Sequence, residues 1–300
     1  MRSKKILKAL GWIGLALGCL VFFTIVKFPT TKIQGWIDGE ISSVLASQGI
    51  GFRATESDLS FLFGIKYTMK NVTLSPAAPA PIIRLDKIVI KPSLLPFLIG
   101  RTQIKVRIDQ DKQELALKAT LKTGQGFTVA LDTDEADLGK MGLLAILAGV
   151  QGSVLISGQA EFQGNLESLS QVSGDVHLTI KKISLDPQSI KGFNVPKISI
   201  GSGEIQINAE AGKIKIKSLQ LGKAGNAADD LILNASGDIN LSKTLDNSNI
   251  NLKTQFSLSP SVSKSFSLLD ALLGAGKQAD GSYKYLLSGP LTSPTPTPDT

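Results

Sequence analysis

Hydrophobic positions along this 300-residue chain fall into three rhythms, each predicting a different element. From Ala9 to Val26 they are nearly continuous, and the segment ALGWIGLALGCLVFFTIV carries no charge. With Ile6 and Leu7 ahead of Lys8, the run approaches the roughly 20 residues that a helix needs to span a bilayer. Over residues 31–48 the period becomes helical: Ile33, Trp36, Ile37, Ile41, Val44 and Leu45 recur, with Thr31 placed as N-cap and Gly49 as stop. Two shorter helices are predicted on the same ground, over Leu138–Leu147 and over Ser265–Leu273, where Phe266, Leu269, Leu272 and Leu273 share a face. Ordinary packing onto a sheet accounts for each of these stripes.

Elsewhere the alternation has period two, between glycines, which predicts strands with one wet and one dry face. Ile104, Val106 and Ile108 alternate with Lys105 and Arg107. Further along, a candidate apolar face is made by Val176, Leu178 and Ile180, by Ile205 and Ile207, by Ile214 and Ile216, by Ile239 and Leu241, and by Ile250 and Leu252. After Lys217 the apolar phase slips to Leu219 and Leu221, predicting a bulge or bend near Ser218. A Ser-Gly pair followed by an alternating run recurs at irregular spacing: SGQAEF (157–162), SGDVHL (173–178), SGEIQI (202–207), SGDINL (236–241) and a curtailed SGPL (288–291). Similar hairpin-like units are therefore laid down in succession, without the fixed period of a solenoid.

The expected organisation is a basic tip and membrane anchor over 1–28, an amphipathic helix over 29–50, a β-rich domain over 51–291, and a Pro/Thr-rich tail over 292–300 that is extended and unpacked. The fold class is mainly β: an elongated, curved antiparallel sheet, open as a groove or closed as a sandwich, with a few short helices. Some ten one-sided strands leave a long apolar stripe to be covered by a second layer, by helices, by a partner protein or by acyl chains.

The N-terminal run has rival readings. Its basic start, MRSKK, places the N-terminus in the cytoplasm and the rest of the chain across the membrane. A cleaved signal peptide would have a shorter apolar core and an A-x-A site, whereas this run ends in Phe28-Pro29-Thr30-Thr31. Leu15-Ala16-Leu17-Gly18-Cys19 superficially matches a lipoprotein box, but cleavage there would leave Val21–Val26 as an apolar terminus. The retained anchor is the expectation, with Ala9, Trp12, Leu15, Leu17, Leu20, Phe22, Phe23 and Val26 as its membrane-facing residues.

Charge and side-chain chemistry narrow the function. The net charge is +7, yet Arg2, Lys4, Lys5, Lys8 and Lys27 supply five of the 32 basic residues, leaving 27 against 25 acidic ones downstream. A nucleic-acid-binding domain would hold its excess cations within the fold, so no nucleic-acid partner is expected. One cysteine, Cys19, excludes an internal disulfide, and one histidine, His177, leaves too few ligands for the usual zinc site. His177 falls on the polar side of its strand. Asp132, Asp134, Glu135 and Asp137 lack the full calcium-loop pattern and read as a solvated loop. Lys213, Lys215 and Lys217 read as a solvated strand face, suited to blunting an exposed edge. Asn71-Val-Thr73 and Asn234-Ala-Ser236 match the glycosylation triplet, a short pattern that by itself carries little weight. No active site assembles from these residues; no enzyme, cofactor or metal is expected.

Two blocks resemble known families. Asp58–Leu74 (DLSFLFGIKYTMKNVTL) and Ile82–Lys105 (IIRLDKIVIKPSLLPFLIGRTQIK) resemble the N-terminal region of AsmA-like proteins, with Gly64, the strand Leu85–Ile90, Pro92, Leu94, Leu95 and Gly100 at the matching positions. The stretch from Leu131 to Pro260 contains Leu131, Asp132, Leu143, Leu144, Gly149 and Gly152, then GFNVPKISIGSGEIQI, LQLGKAGNAADDLILNASGDINL and SNINLKTQFSLSP. Its order is similar to the type II secretion system protein N (GspN) family of Gram-negative bacteria. The resemblance implies a single-pass inner-membrane protein with a periplasmic β-domain. It further implies a non-enzymatic accessory of type II secretion, partnered by other inner-membrane or periplasmic subunits and open to homo-oligomer formation. The AsmA-like kinship implies the alternative of a lipid-binding or lipid-transfer module with membrane lipid as partner.

Overall fold

Period-two alternation builds one large antiparallel sheet in the computed structural model, which describes residues 30–299 apart from 62–63, 77–81, 94–95, 97–98, 123–124, 191–192, 227 and 266–272. The chain enters through helix α1 (Thr30–Ser47) and then lays down β1 (Ile50–Arg53), β2 (Glu56–Ser60), β3 (Lys66–Pro76) and β4 (Ile83–Ser93). β5 (Arg101–Gln110), β6 (Gln113–Lys122) and β7 (Gly126–Asp137) follow, then helix α2 (Leu143–Ala148), β8 (Gly152–Asn165) and β9 (Ser168–Leu185). A small hairpin of β10 (Gln188–Ile190) and β11 (Phe193–Val195) precedes β12 (Ile198–Ile200), β13 (Gly203–Glu210), β14 (Lys213–Leu221) and β15 (Leu231–Asn240). The chain closes with β16 (Asn249–Leu258), helix α3 (Pro260–Ser265), β17 (Tyr283–Pro290) and β18 (Thr295–Pro298).

From β3 to β9, and again from β13 to β18, each strand of the sheet pairs with the next in sequence, while β9 pairs with β13 to join the two runs. β1 and β2 share one flank of β3, and β18 forms the opposite edge. No pairing joins the two edges among the described residues, so the sheet is an open meander. Short turns allow this order; Asp111 and Lys112 join β5 to β6 with φ of 48° and 68°, the left-handed pair that suits the twist of a two-residue hairpin.

The repeated Ser-Gly pairs acquire a reason at this level. Gly158 and Gly237 have φ of 131° and 149°, and a Cβ on either would lie 2.1 Å from the His177 carbonyl oxygen or 2.2 Å from that of Asn251 on the adjoining strand. The neighbouring strand approaches more closely than any side chain allows. The bulge expected near Ser218 is present: β14 shifts register against β15 between Ile216 and Leu219.

The core lies toward the N-terminal half, around Tyr67, Met69, Val72, Ile83, Leu85, Leu115, Met141, Ile156 and Ile180. Met69 and Val72 both reach it although three residues apart, because Asn71 between them takes a left-handed conformation (φ 47°) and shifts the apolar phase. α1 packs Ile33, Ile37 and Ile41 against this core. It is pinned there by Asp38, which accepts hydrogen bonds from the Tyr67 hydroxyl and, at 2.9 Å, from Ser57 Oγ.

Three expectations change. The tail is extended but not unpacked, since Thr295–Pro298 pairs with β17 and Asp299 N–H donates to the Lys284 carbonyl at 3.1 Å. And Lys213, Lys215 and Lys217 lie on β14, an interior strand between β13 and β15, so they blunt no edge. The helix predicted over Leu138–Leu147 is shorter, Leu143–Ala148, because Gly142 at its start is left-handed. Most of the one predicted over Ser265–Leu273 lies outside the described residues, as do Leu94 and Leu95. No helix among the described residues is long and apolar enough to cross a membrane. Ala9, Trp12, Leu15, Leu17, Leu20, Phe22, Phe23 and Val26 all fall outside the described residues.

Candidate functional site

Residues directly opposed on neighbouring strands share a face, so the register shows which side chains line up across the sheet. One row runs Tyr67, Ile90, Val106, Leu117, Leu131, Ala160, Val176, Ile207, Ile216, Gly237, Leu252, Leu287. A second, two residues along, runs Pro92, Ile104, Ala119, Val129, Phe162, Gly174, Ala209, Ile214, Ile239, Ile250, Gly289. Leu178 and Ile205 belong to the row on the other side, with Met69, Ile88, Ile108 and Leu115. Ile180 faces Ile156. By register the ten candidate residues on named strands lie on one face of the sheet, and Leu241 follows one position after β15.

The face is longer than the sequence reading made it. It starts at β3 and continues to β17 without a charged residue in either row quoted. The N-terminal members could have been found from the alternation at Ile104–Ile108, extended strand by strand. Glycines of the Ser-Gly pairs (Gly158, Gly174, Gly203, Gly237, Gly289) also fall on it, and at the first four the neighbouring strand approaches closely, whereas Gly289 has open space beside it.

Coverage is uneven. At one end, which we call the closed end, the loop after β7 folds over the face: Met141 is buried, Leu138 and Leu143 join the core, and a Cβ on Gly142 would fall 2.3 Å from Ile83 Cγ1. Farther along the same end Tyr285 donates its hydroxyl to the Leu273 carbonyl at 2.9 Å, and the ring of Tyr283 stacks on Phe256 at 5.2 Å. At the other, open end Leu121 and Val129 remain 47% and 40% exposed. Of the eleven candidate residues Val176, Ile180 and Ile216 are buried, while Leu178, Ile205, Ile207, Ile214, Ile239, Leu241, Ile250 and Leu252 are half-buried. Such a stripe, apolar and only partly covered, is a surface that can take an apolar ligand.

The opposite face is polar. The row between the two quoted above reads Lys91, Lys105, Lys118, Ala130, Glu161, Asp175, Asn208, Lys215, Asp238, Asn251, Ser288. A cavity of about 370 Å³ opens there over Val89, Ala116 and Ala130, rimmed by Lys91, Lys105 and Lys118. His177 is exposed on this face between Gln159 and Gln206. The acidic group is dispersed: Glu135 pairs with Lys181, and buried Asp137 accepts from the Gly139 N–H at 2.9 Å and from Ser153 Oγ at 2.7 Å, pinning the loop over the closed end. Among the described residues no cluster of His, Cys, Asp or Glu could hold a metal ion.

One further carboxylate, that of Asp229, is buried and forms no ion pair among the described residues, although the charge of Lys223 also favours its ionised form. Burial by itself would raise the pKa of Asp229, but the N–H groups of Gly201 and Lys223 and the Asn226 amide, at 2.5, 2.8 and 2.9 Å, outweigh it and hold the carboxyl below its usual range. Its role is to tie the β14–β15 loop to the start of β13.

No protein-family model, no curated protein and no solved structure matches this chain.

Proposed function

We propose that this protein is a non-enzymatic, single-pass protein of the bacterial inner membrane whose periplasmic β-sheet holds acyl chains along its apolar face. The observation that carries the reading is the uninterrupted apolar face from β3 to β17, covered at one end and mostly half-buried along the rest, with Leu121 and Val129 exposed. A hydrophobic stripe of that length left to water is costly, and hydrocarbon fits it without hydrogen-bonding demands. The anchor rests on the uncharged run from Ala9 to Val26 behind its basic tip.

A second reading places the protein as an accessory of type II secretion, acting by contact with other inner-membrane or periplasmic subunits. Its support is the order of sequence blocks from Leu131 to Pro260 together with the anchor. The two are compatible, since a secretion accessory can carry lipid.

The test is purification of the full chain in mild detergent, with bound lipids and proteins both identified by mass spectrometry. Stoichiometric phospholipid or lipopolysaccharide is expected, and Leu178→Asn with Ile214→Asn should lose it while keeping the wild-type circular dichroism. These two positions are half-buried, so a polar group there is tolerated by the fold. Unchanged lipid in the folded variant overturns the acyl-chain reading; secretion subunits recovered without lipid favour the second.

A further inference from the structure

The open end of the sheet is both greasy and cationic. Leu121 lies there at the tip of β6, Ile99 in the β4–β5 connection and Leu166 in the β8–β9 turn, at 47%, 68% and 60% exposure. Leu166 N–H donates to the Gln125 carbonyl at 3.0 Å, so the β6–β7 and β8–β9 turns are joined. On the polar face directly behind this lip, Lys91, Lys105 and Lys118 stand opposite one another on adjacent strands, and Arg101 stands opposite Lys122. None of these five forms an ion pair among the described residues. The segments 90–108 and 115–131 contain no Asp or Glu at all. Like charges opposed across strands repel, and the nearest carboxylates, Glu114 and Asp132, line the cavity on its closed-end side without forming an ion pair to any of the five.

The direction of α1 points to the same end. Its C-terminus turns into β1 at Ile50, which pairs with Pro76 at the closed end of β3. Asp38, in mid-helix, meets Tyr67 near the opposite end of β3, where Tyr67 pairs with Ile90. The eight residues from Asp38 back to Thr30 then carry the helix about 12 Å farther toward the open end. The described chain therefore begins, at Thr30, on the side of the open end.

From these two observations we infer that the open end is a membrane-docking surface: Ile99, Leu121 and Leu166 enter the interface of a bilayer bearing anionic phospholipid, and Arg101, Lys122 and the Lys91–Lys105–Lys118 row hold its phosphates. Apolar tips backed by cations are the chemistry that anionic lipid surfaces recognise. The apolar face of the sheet then opens onto the membrane and is shut at the end that faces away from it.

The test reads depth, independently of whether lipid occupies the sheet. Full-length protein with Cys19→Ala is labelled with an environment-sensitive fluorophore at Ile99→Cys, Leu121→Cys or Leu166→Cys, and at Lys112→Cys in the β5–β6 turn of the closed end. Each is reconstituted in vesicles of phosphatidylcholine with phosphatidylglycerol that contain nitroxide-labelled lipid. Loss of emission is expected at 99, 121 and 166 and not at 112. Arg101→Glu with Lys122→Glu should restore emission at 166 while the protein stays with the vesicles, as should replacing phosphatidylglycerol by phosphatidylcholine. Equal quenching at 112 and at the lip, quenching that ignores the charge reversal, or failure of the protein to float with the vesicles overturns the inference.

Discussion

Tyr67 donates its hydroxyl proton to Asp38, joining the third strand of the sheet to the helix that precedes the first. The two lie 29 residues apart, and the bond is formed at the margin of the core, where Tyr67 itself is only 3% exposed. Burial, then the Asp38 carboxylate, push the Tyr67 pKa up from 10.0 to about 12.

A pH dependence follows. Because the folded state holds the proton more tightly than the unfolded chain, this contribution to stability is complete below pH 10 and is lost as the pH rises toward about 12. Denaturation midpoints measured from pH 8 upward should therefore fall more steeply for the wild type than for Tyr67→Phe. At neutral pH the same variant should lose about 1.5–3 kcal/mol, the net worth of a hydrogen bond to a charged acceptor. Parallel alkaline profiles for the two proteins would show that the Tyr67–Asp38 bond does not hold the helix.

The glycines divide into two kinds, and substitution should separate them. At Gly158 and Gly237 a methyl would meet a carbonyl oxygen of the next strand at 2.1 and 2.2 Å, in a backbone conformation that L-residues rarely adopt. Alanine at either position should cost about 3 kcal/mol, combining backbone strain with overpacking. Gly39, on an exposed turn of α1, has nothing within 4 Å of the corresponding point. Gly39→Ala should instead stabilise by about 0.5–1 kcal/mol through helix propensity. Urea melts of the three variants measure both signs. A mild effect at 158 and 237 would mean the strands can separate there and that the Ser-Gly pairs have another purpose.

Alternation made the face of the sheet legible from Val176 to Leu252, because in a meander every strand obeys the same parity. The slip after Lys217 even located a bulge. The same rule fails silently where a left-handed residue intervenes: Met69 and Val72 occupy one core although their spacing puts them on opposite sides, and only the backbone at Asn71 reveals this. Ends were also invisible. Nothing in the pattern of Leu121 and Val129 distinguishes them from Leu115 and Leu131, and the difference in coverage comes from a loop around Met141 that folds back over one end alone. The cationic character of the other end is present in the sequence, as carboxylate-free segments 90–108 and 115–131, yet it becomes a surface only when the hairpins align them.

Proline was the residue most misleading to composition, and its spacing explains why. In β18 the pairs Thr295–Ser288, Pro296–Leu287, Thr297–Leu286 and Pro298–Tyr285 alternate, and Asp299 donates inward to Lys284. By the parity of an antiparallel ladder Thr295 and Thr297 also turn their N–H groups toward β17, while Pro296 and Pro298 face the open edge. Prolines at every second position thus leave pairing intact on one side and remove every donor from the other. An edge without donors is a poor template for another strand. Pro296→Ala with Pro298→Ala restores two outward N–H groups at positions that are exposed. The full-length variant in detergent should form larger species than the wild type at the same concentration, read by sedimentation velocity, with unchanged circular dichroism of the domain. Thr297→Lys added to that variant should reverse the association, because a charge on the edge repels a second copy. If the double variant sediments as the wild type does, the prolines do not protect the edge, and the detergent-bound state shields it by other means.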